Sequence, residues 1–486
     1  MGPSSASTGA PGAPTAQQVS GRKARKSVPR RDLGTWEPPA DRADPVSILE
    51  AQNAARAQEL VPLRFERMSV SPFTFYRGAA AIMAHDLGSR PRTDLQVQLV
   101  GDAHLANFGG FATPERNLVF DLNDFDETHP GPFEWDVQRL VASFAVAARN
   151  ARLSAERSST LTETVTTSYV QAMAQFAGMD RMSVWYTRMT VDYIADRWGD
   201  DETISRRRRA MFQRRLRKAR AKDSQRAVSR YTQVGPDGQL HIISQPPLVV
   251  PLTELFSHAT QDEVRGLAES VIDQYRQTLP NDRAALLSGY RPVDVARKVV
   301  GVGSVGTRCW ISLLVAEDDQ SDDLVLQVKE AGPSVLEAVT GPSAYANHGQ
   351  RVVEGQRLVQ AASDILLGWA RVPGLDGAMH DYYVRQMWDW KTSADLEGFE
   401  YDAMLLYAHL CGWTLARAHA RTGPRKALAA YLGSGRPFTR AMTEFAESYA
   451  DQNQRDYDAL IAAIESGRVH RSHVEEDATA TAAVGL

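Results

Sequence analysis

The spacing of apolar and polar positions divides the chain into a mixed, a mainly helical, a second mixed and a final helical stretch. From 45 to 90 the apolar residues recur at helical spacing. Two strand patterns follow, LQVQLVGD running into Asp102 and LVFDLND around Asp121. Helical patterns dominate from Phe133 to Leu287, interrupted between Gln233 and Pro251, where HIISQPPLVVP reads as extended chain. A second β-rich block spans Val295 to Gln386, with RKVVGVG, TRCWISLLV, LVLQVKEA and DYYVRQM as strands and one helix near Arg351–Leu367. From Tyr401 to Ser466 the pattern is helical again. This order predicts an α+β protein with two lobes, not a repeating βαβ chain.

The ends read differently. Residues 1–40 are rich in Ser, Gly, Pro and Ala, with a basic cluster from Arg22 to Arg31, and are expected to form a disordered tail. Residues 471–486 are expected to fray as well. Between them the expected parts are 41–290, 291–390 and 391–470, with no internal repeat.

Composition narrows the function classes. The 55 Lys and Arg against 59 Asp and Glu leave a formal charge of −4, which argues against a chain that coats nucleic acid. Two cysteines, Cys309 and Cys411, build neither a disulfide framework nor a metal cluster. No apolar run approaches the ~20 residues of a membrane span, and MGPSSASTGAPGAP lacks a signal peptide's apolar stretch. The expectation is a cytoplasmic protein with no membrane partner. The densest charge run, RRRRAMFQRRLRKARAK from Arg206 to Lys222, could contact phosphates, but reads better as a surface helix with Met211, Phe212 and Leu216 turned inward.

Two stretches carry candidate chemistry. In VGDAHLANFGGF, Asp102 follows an apolar strand and precedes Asn107 by five residues; the strand LVF then ends in Asp121, with Asn123, Asp124 and Asp126 behind it. Phosphoryl transfer needs a carboxylate beside the incoming hydroxyl, and oxygen ligands for Mg²⁺. Asp102 suits the base, Asn107 a metal ligand, and Asp121 or Asp124 the main metal ligand. Hairpin spacing favours Asp121; the string NDFD favours Asp124, by likeness to the Asp-Phe pair of kinase metal sites. The alternative is a polar hairpin whose Asp and Asn cap turns. A two-metal phosphoesterase would also use Asp, His and Asn, but only His85 and His129 are close in sequence. Asp136, opening the helix after PGPFEW, is a candidate support for the backbone amides of the Asp102 loop.

The second stretch is GVGSVGTR, with Gly301, Gly303, Ser304 and Gly306. A dinucleotide fingerprint opens a helix; here TRCWISLLV follows, so the glycines sit in a turn between strands, as in the phosphate-covering loop of kinases. Lys329 lies in the apolar strand LVLQVKEA, where an unpaired ammonium is costly. Nucleotide phosphates and a helix carboxylate would relieve that cost, Glu354 first and Glu337 second. Gln386 opens a connector toward Trp388 that could hold adenine.

Relative to a standard kinase chain the order is inverted: catalytic loop and metal carboxylate precede glycine loop and lysine. The helix YAHLCGWTLARAHART would precede the catalytic loop in such a chain, so the simplest account is a circular permutation opened between the two. The strings SPFTFYRGAA, GDAHLANFGGF, FDLNDFDETHPGPFEWDVQRL, QVKEA, GQRLVQAASDILLGW and YYVRQMWDWK resemble the bacterial domain-of-unknown-function 2252 family, over about 45–465. That family is grouped with kinase-like proteins of the aminoglycoside-phosphotransferase type. The resemblance implies a two-lobed protein kinase-like fold, circularly permuted and with extra helices, binding ATP and Mg²⁺. It carries the roles above to Asp102, Asn107, Asp121 or Asp124, Gly301, Gly303, Gly306 and Lys329. One departure is Val100, where many such enzymes have the His of a His-Gly-Asp triplet. Tyr76 and Arg77 in SPFTFYRG fall outside the kinase pattern, and Arg77 reads as a structural arginine or a substrate contact. The expected activity is phosphotransfer to a small-molecule hydroxyl. The rivals are a nucleotide-binding pseudokinase, an AMP-transferring relative and the metallophosphoesterase.

Overall fold

β-branched and aromatic residues between 290 and 386 build the sheet on which the candidate lysine sits. The computed structural model describes residues 15–34, 36–190, 194, 224–256, 260–316, 322–374, 377–387, 390, 392–393 and 400–472. Its early strands are β1 (Gln96–Leu99), β2 (Phe108–Ala112), β3 (Leu118–Leu122), β4 (His129–Pro132), β5 (Thr232–Val234) and β6 (Leu240–Ile242). The later ones are β7 (Val249–Pro251), β8 (Tyr290–Lys298), β9 (Cys309–Ala316), β10 (Leu324–Glu330), β11 (Gly368–Pro373), β12 (Met379–Gln386) and β13 (Thr392–Ser393). Among these, the largest sheet has the order β11-β12-β10-β9-β8-β7, with every neighbouring pair antiparallel.

Side chains alternate across a strand, so register assigns each residue a face. Lys329 pairs with Cys309 and Tyr383, and Gln327 with Ile311 and Arg385; these residues share one face. On the opposite face Leu314, Leu326 and Val384 pack against Ile272 and Tyr275 of the helix Gln261–Arg276. The lysine face is divided. Its apolar end, with Ile311, Leu313 and Val325, lies under Ala227, Val228 and Tyr231 of the helix Ser224–Tyr231. Its polar end faces the hairpin β2–β3.

That hairpin rests on a helical body. Helix Phe133–Asn150 is buried over most of its circumference and packs with Ala155–Gly178, Tyr401–Thr422 and Arg436–Glu465. Val137, Leu140, Val141 and Phe144 are each completely buried, and the polar Glu134, Asp136, Gln138 and Arg139 of its first turns are buried with them. None of the described helices is long and apolar enough to cross a membrane.

Three expectations change. Residues 16–27, expected within the tail, form a helix. Thr15 and Gln18 make a reciprocal capping box. The helix docks on Arg425–Leu432, where Arg25 donates to the Ala430 and Tyr431 carbonyls and Arg30 to that of Leu432 (2.6 Å). The basic cluster thus caps the C-terminal carbonyls of another helix, a role that composition does not reveal. The helix expected to reach Leu367 spans His348–Val359 and stops where Gln360 turns extended; the unexpected strand β11 follows. The Arg206–Lys222 run, Trp388 and the end from 473 lie outside the described residues.

Candidate functional site

Asp102 sits in the loop between β1 and β2, and its backbone is fixed from below. Asp136 accepts from Val100 N (2.7 Å) and Gly101 N (3.0 Å). His419 Nε2 lies 3.2 Å from Asp136, and Tyr169 Oη lies 2.8 Å from His419 Nδ1. Gly101 has φ +85°, and a Cβ there would stand 2.1 Å from the Glu127 carbonyl oxygen. Only glycine lets the loop pass so close. The support role read for Asp136 from the sequence is what its hydrogen bonds describe.

The Asp102 carboxylate is one-fifth exposed and accepts from Arg139 Nε at 2.8 Å. Arg139 is held in turn by Tyr76. Its guanidinium lies 3.9 Å from the ring centroid and donates to the Tyr76 carbonyl (2.7 Å), while Tyr76 Oη donates to the Arg139 carbonyl (2.7 Å). Burial, helped by the charge of Asp126, pushes the Asp102 carboxyl above the usual range; Arg139 and Arg77 oppose this. Burial and the same two arginines hold His104 well below its ordinary value, so its imidazole is neutral. Ala106 N donates to His104 Nδ1 (3.2 Å), which puts the proton on Nε2, 3.7 Å from Asp102 Oδ2. Arg77 therefore acts electrostatically at the site, through both Asp102 and His104.

Asn107 Nδ2 donates to the Asp102 carbonyl (2.8 Å), and Asn123 N donates to the Asn107 carbonyl (2.9 Å). Asn107 thus stands at the open end of the hairpin, beside the segment that carries Asp124. The two metal-ligand candidates separate sharply. Asp121, with 2% of its side chain exposed, takes Arg417 Nη2 (2.5 Å) and Leu122 N (2.9 Å) on Oδ1 and Ala361 N (2.9 Å) on Oδ2. Both oxygens are committed to structure, which corrects the hairpin-spacing argument for Asp121. Asp124 is one-third exposed and 3.9 Å from Lys329 Nζ.

Lys329 is 2% exposed. Its ammonium donates to Asp126 Oδ2, and Tyr383 Oη donates to Asp126 Oδ1 (2.8 Å). Burial disfavours the ammonium, but Asp124 and Asp126 outweigh it and raise the Lys329 pKa well above the ordinary value. Asp126 is likewise desolvated, yet Lys329 and Tyr383 bring it below the usual carboxylate range. Glu354, expected to pair Lys329, instead pairs with Arg357 at 3.0 Å. Glu337 accepts from Ser334 N and Ser343 N. The helix His348–Val359 sends Arg351 inward, donating to the carbonyls of Thr128 (2.7 Å), Asp126 (2.8 Å) and Gly332 (2.8 Å). The carboxylate on the lysine comes from the loop between β3 and β4, and the helix contributes a cation.

The glycine turn joins β8 to β9 and is pinned from outside. Val302 packs with Phe65 and Met68, and Val305 with Leu60 and Leu63. Arg67 donates to the Gly301 carbonyl (2.5 Å), Arg56 to that of Val305 (2.5 Å) and Ala57 N to that of Gly306 (2.8 Å). Gly301 and Gly306 have positive φ, +60° and +86°, and Gly303 lies against the Arg77 carbonyl. Ser304 Oγ reaches Asp126 Oδ2 at 3.3 Å. Asp124, Asp126, Ser304 and Lys329 therefore meet in one place, near enough to Asp102 for the charge of Asp126 to act on its carboxyl. Gln386 turns to Asp364, donating from N (2.6 Å) and Nε2 (2.7 Å). The cavity beside it is only about 60 Å³.

Asp126, Arg139, Tyr383 and Arg351 were not named as site residues from the sequence. The acidic string after Asp121 pointed to the first; the others are arginines and a tyrosine in apolar elements, with no local signature.

Glu127, next to Asp126, is pushed up to about 7 by burial, with Asp126 and Asp102 adding to it, against Val335 N and Arg351. A carboxyl raised in the native state contributes stability that is fully present below its unfolded value and is lost as pH rises through the native value. The Tm of wild type relative to Glu127→Gln should therefore fall between pH 5 and pH 8. A Tm difference that stays flat over that range contradicts this.

Residues 56–463 match the model of a family described as an uncharacterized protein conserved in bacteria (DUF2252), and the chain belongs to that family. No curated protein and no solved structure matches it.

Proposed function

We propose that this protein is an ATP- and Mg²⁺-dependent phosphotransferase that modifies a hydroxyl of a small molecule. The observation that carries the reading is the meeting of Lys329 with Asp124 and Asp126, across some two hundred residues of chain. A buried lysine facing carboxylates beside a glycine turn, with an Asp–Asn loop opposite, is the constellation that kinase-type phosphoryl transfer uses. Two features of the fold support a permuted kinase-like arrangement. The lysine lies on the third of the strands β8, β9, β10, β11 and β12, with the glycine turn between the first two and a helix between the third and fourth. The helix Tyr401–Thr422 ends against β1, where Gln98 N donates to Thr422 Oγ1 at 3.2 Å, which brings the two sides of the inferred chain opening together.

The residues fit a magnesium ion. Mg²⁺ prefers oxygen ligands and takes most of its shell from phosphates and water; Asp124 and the Asn107 side-chain oxygen supply the protein's share. When bound, the ion neutralises charge on the transferred phosphate. Lys329 exchanges Asp126 for phosphate oxygens, while Tyr383 and Ser304 keep Asp126 hydrogen-bonded. Asp102, with its raised pKa, accepts the acceptor hydroxyl's proton, oriented by Arg139 and the neutral His104. AMP transfer uses the same groups and is separated by product mass. A two-metal phosphoesterase fits less well: among the described residues no three His, Cys, Asp or Glu are placed to hold an ion.

The apolar end of the lysine face, where a base would lie, is covered by Ala227, Val228 and Tyr231, so nucleotide entry requires that helix to move in a kinase and in a nucleotide-binding pseudokinase alike, and turnover separates the two.

The test is ATP consumption across a panel of small hydroxyl compounds, with Asp124→Asn and Asp121→Asn compared on the compound that supports turnover. Asp124→Asn should abolish Mg²⁺-dependent turnover in a protein that remains folded, with a smaller loss of Tm than Asp121→Asn. Asp121→Asn, which strands the buried Arg417, should cost about 3–5 kcal/mol of stability. No ATP consumption with any compound favours the pseudokinase, and Mg²⁺-dependent turnover surviving in Asp124→Asn contradicts the ligand assignment.

A further inference from the structure

On the sheet face opposite Lys329, a cavity of about 640 Å³ lies between β8, β9 and the helix Gln261–Arg276. Protein interiors pack with few voids larger than a water molecule, whereas small-molecule sites occupy roughly 300–1,000 Å³. The walls are apolar, built by Leu255, Leu267, Val271, Ile272, Val295 and Val328. One end is cationic, with Arg56, Arg297 and Arg308.

Three side chains in this lining, Ser312, Arg56 and Arg297 (at Nε), have a buried polar atom without the partner that burial demands. Ser312, 3% exposed, has its Oγ buried with no hydrogen-bond partner. Arg56 has Nε buried without a partner. The three arginines also differ in charge compensation. Arg297 pairs with Glu59 at 2.7 Å and Arg308 with Glu330 at 3.0 Å. Arg56 donates only to the Val305 carbonyl, and no carboxylate among the described residues lies within ion-pair distance of it. Burial holds its pKa below the ordinary value even against the more distant charges of Glu127, Asp126 and Glu330. A desolvated cation at the mouth of an apolar cavity is satisfied by a ligand that brings its own negative charge.

We propose that this cavity binds an amphipathic carboxylate, a medium-chain fatty acid or its close analogue, with the hydrocarbon along the helix Gln261–Arg276 and the carboxylate at Arg56. The site is separate from the nucleotide reading and stands or falls without it.

Titration calorimetry of the full-length protein with dodecanoate, and with dodecyltrimethylammonium as the cationic control, tests this below the micelle concentration of either. Wild type should bind one dodecanoate, about tenfold or more tighter than the ammonium amphiphile, as expected for one charge-assisted hydrogen bond. Arg56→Met should remove that preference. Ala268→Trp, which fills the cavity from the helix, should remove saturable binding of dodecanoate, with Tm and circular dichroism reporting that each variant is folded. Absence of saturable dodecanoate binding to wild type, equal affinity for the two amphiphiles, or full binding by a folded Ala268→Trp overturns the proposal. If Arg56→Met fails to fold, the wild-type comparison and Ala268→Trp still decide.

Discussion

Asp102→Asn is expected to lower turnover about 10²–10⁴-fold, the contribution typical of a positioned general base, while the Kd for MgATP stays within about threefold, a shift below 1 kcal/mol. The asymmetry follows from where Asp102 sits. Its carboxylate contacts Arg139 and the His104 edge, whereas the nucleotide-facing groups, Lys329, Ser304 and Asp124, belong to other segments. Asn keeps the shape and an acceptor for Arg139 Nε but cannot take a proton. It also leaves Arg139 without its counter-charge, so unfolding should be followed alongside kinetics, to separate lost chemistry from lost fold. Wild-type turnover in a folded Asp102→Asn protein contradicts the assignment.

Lys329→Met should act on stability and binding together. Removing one partner of a buried ion pair typically costs about 3–5 kcal/mol, because the remaining carboxylate, here Asp126, stays desolvated. Replacing both partners is far milder. Lys329→Met combined with Asp126→Asn should therefore regain most of the lost stability in urea unfolding, while MgATP binding remains absent in both variants. Recovered nucleotide binding in the double variant would show that the lysine only holds the fold. A single variant as stable as wild type would show that the ion pair contributes little.

Much of this arrangement was legible from local pattern. Strand periodicity located β1, β3, β9, β10 and β12, and the β-branched run after Gly306 placed the glycines between strands, whereas the strand expected at RKVVGVG runs earlier, over Tyr290–Lys298. The apolar run around Lys329 announced a buried ammonium in need of a partner. The partner's identity was not legible, because it depends on how the hairpin docks under the sheet across 203 positions. Glu354 has the right residue type on the right helix, yet the inward position belongs to Arg351. Spacing favours Asp121 and the string NDFD favours Asp124; what separates them in the structure is Arg417, buried in the helix Tyr401–Thr422, whose target the sequence does not reveal. The N-terminal helix was hidden for a similar reason: its stability comes from docking on Arg425–Leu432, and its own composition is that of a tail. The segment 360–367 was absorbed into the preceding helix because Ile365, Leu366 and Leu367 continue that helix's apolar spacing, and strand β11 behind it was not foreseen.

The account rests on one triphosphate being held between Lys329 and the hairpin. The most direct measurement is a crystal structure with a non-hydrolysable ATP analogue and Mn²⁺, located by its anomalous scattering. The expected result is a manganese peak bound by Asp124 and Asn107, with the Lys329 ammonium transferred from Asp126 to the phosphates and the helix Ser224–Tyr231 displaced. Analogue and metal bound elsewhere, with the Lys329–Asp126 pair intact, would contradict it.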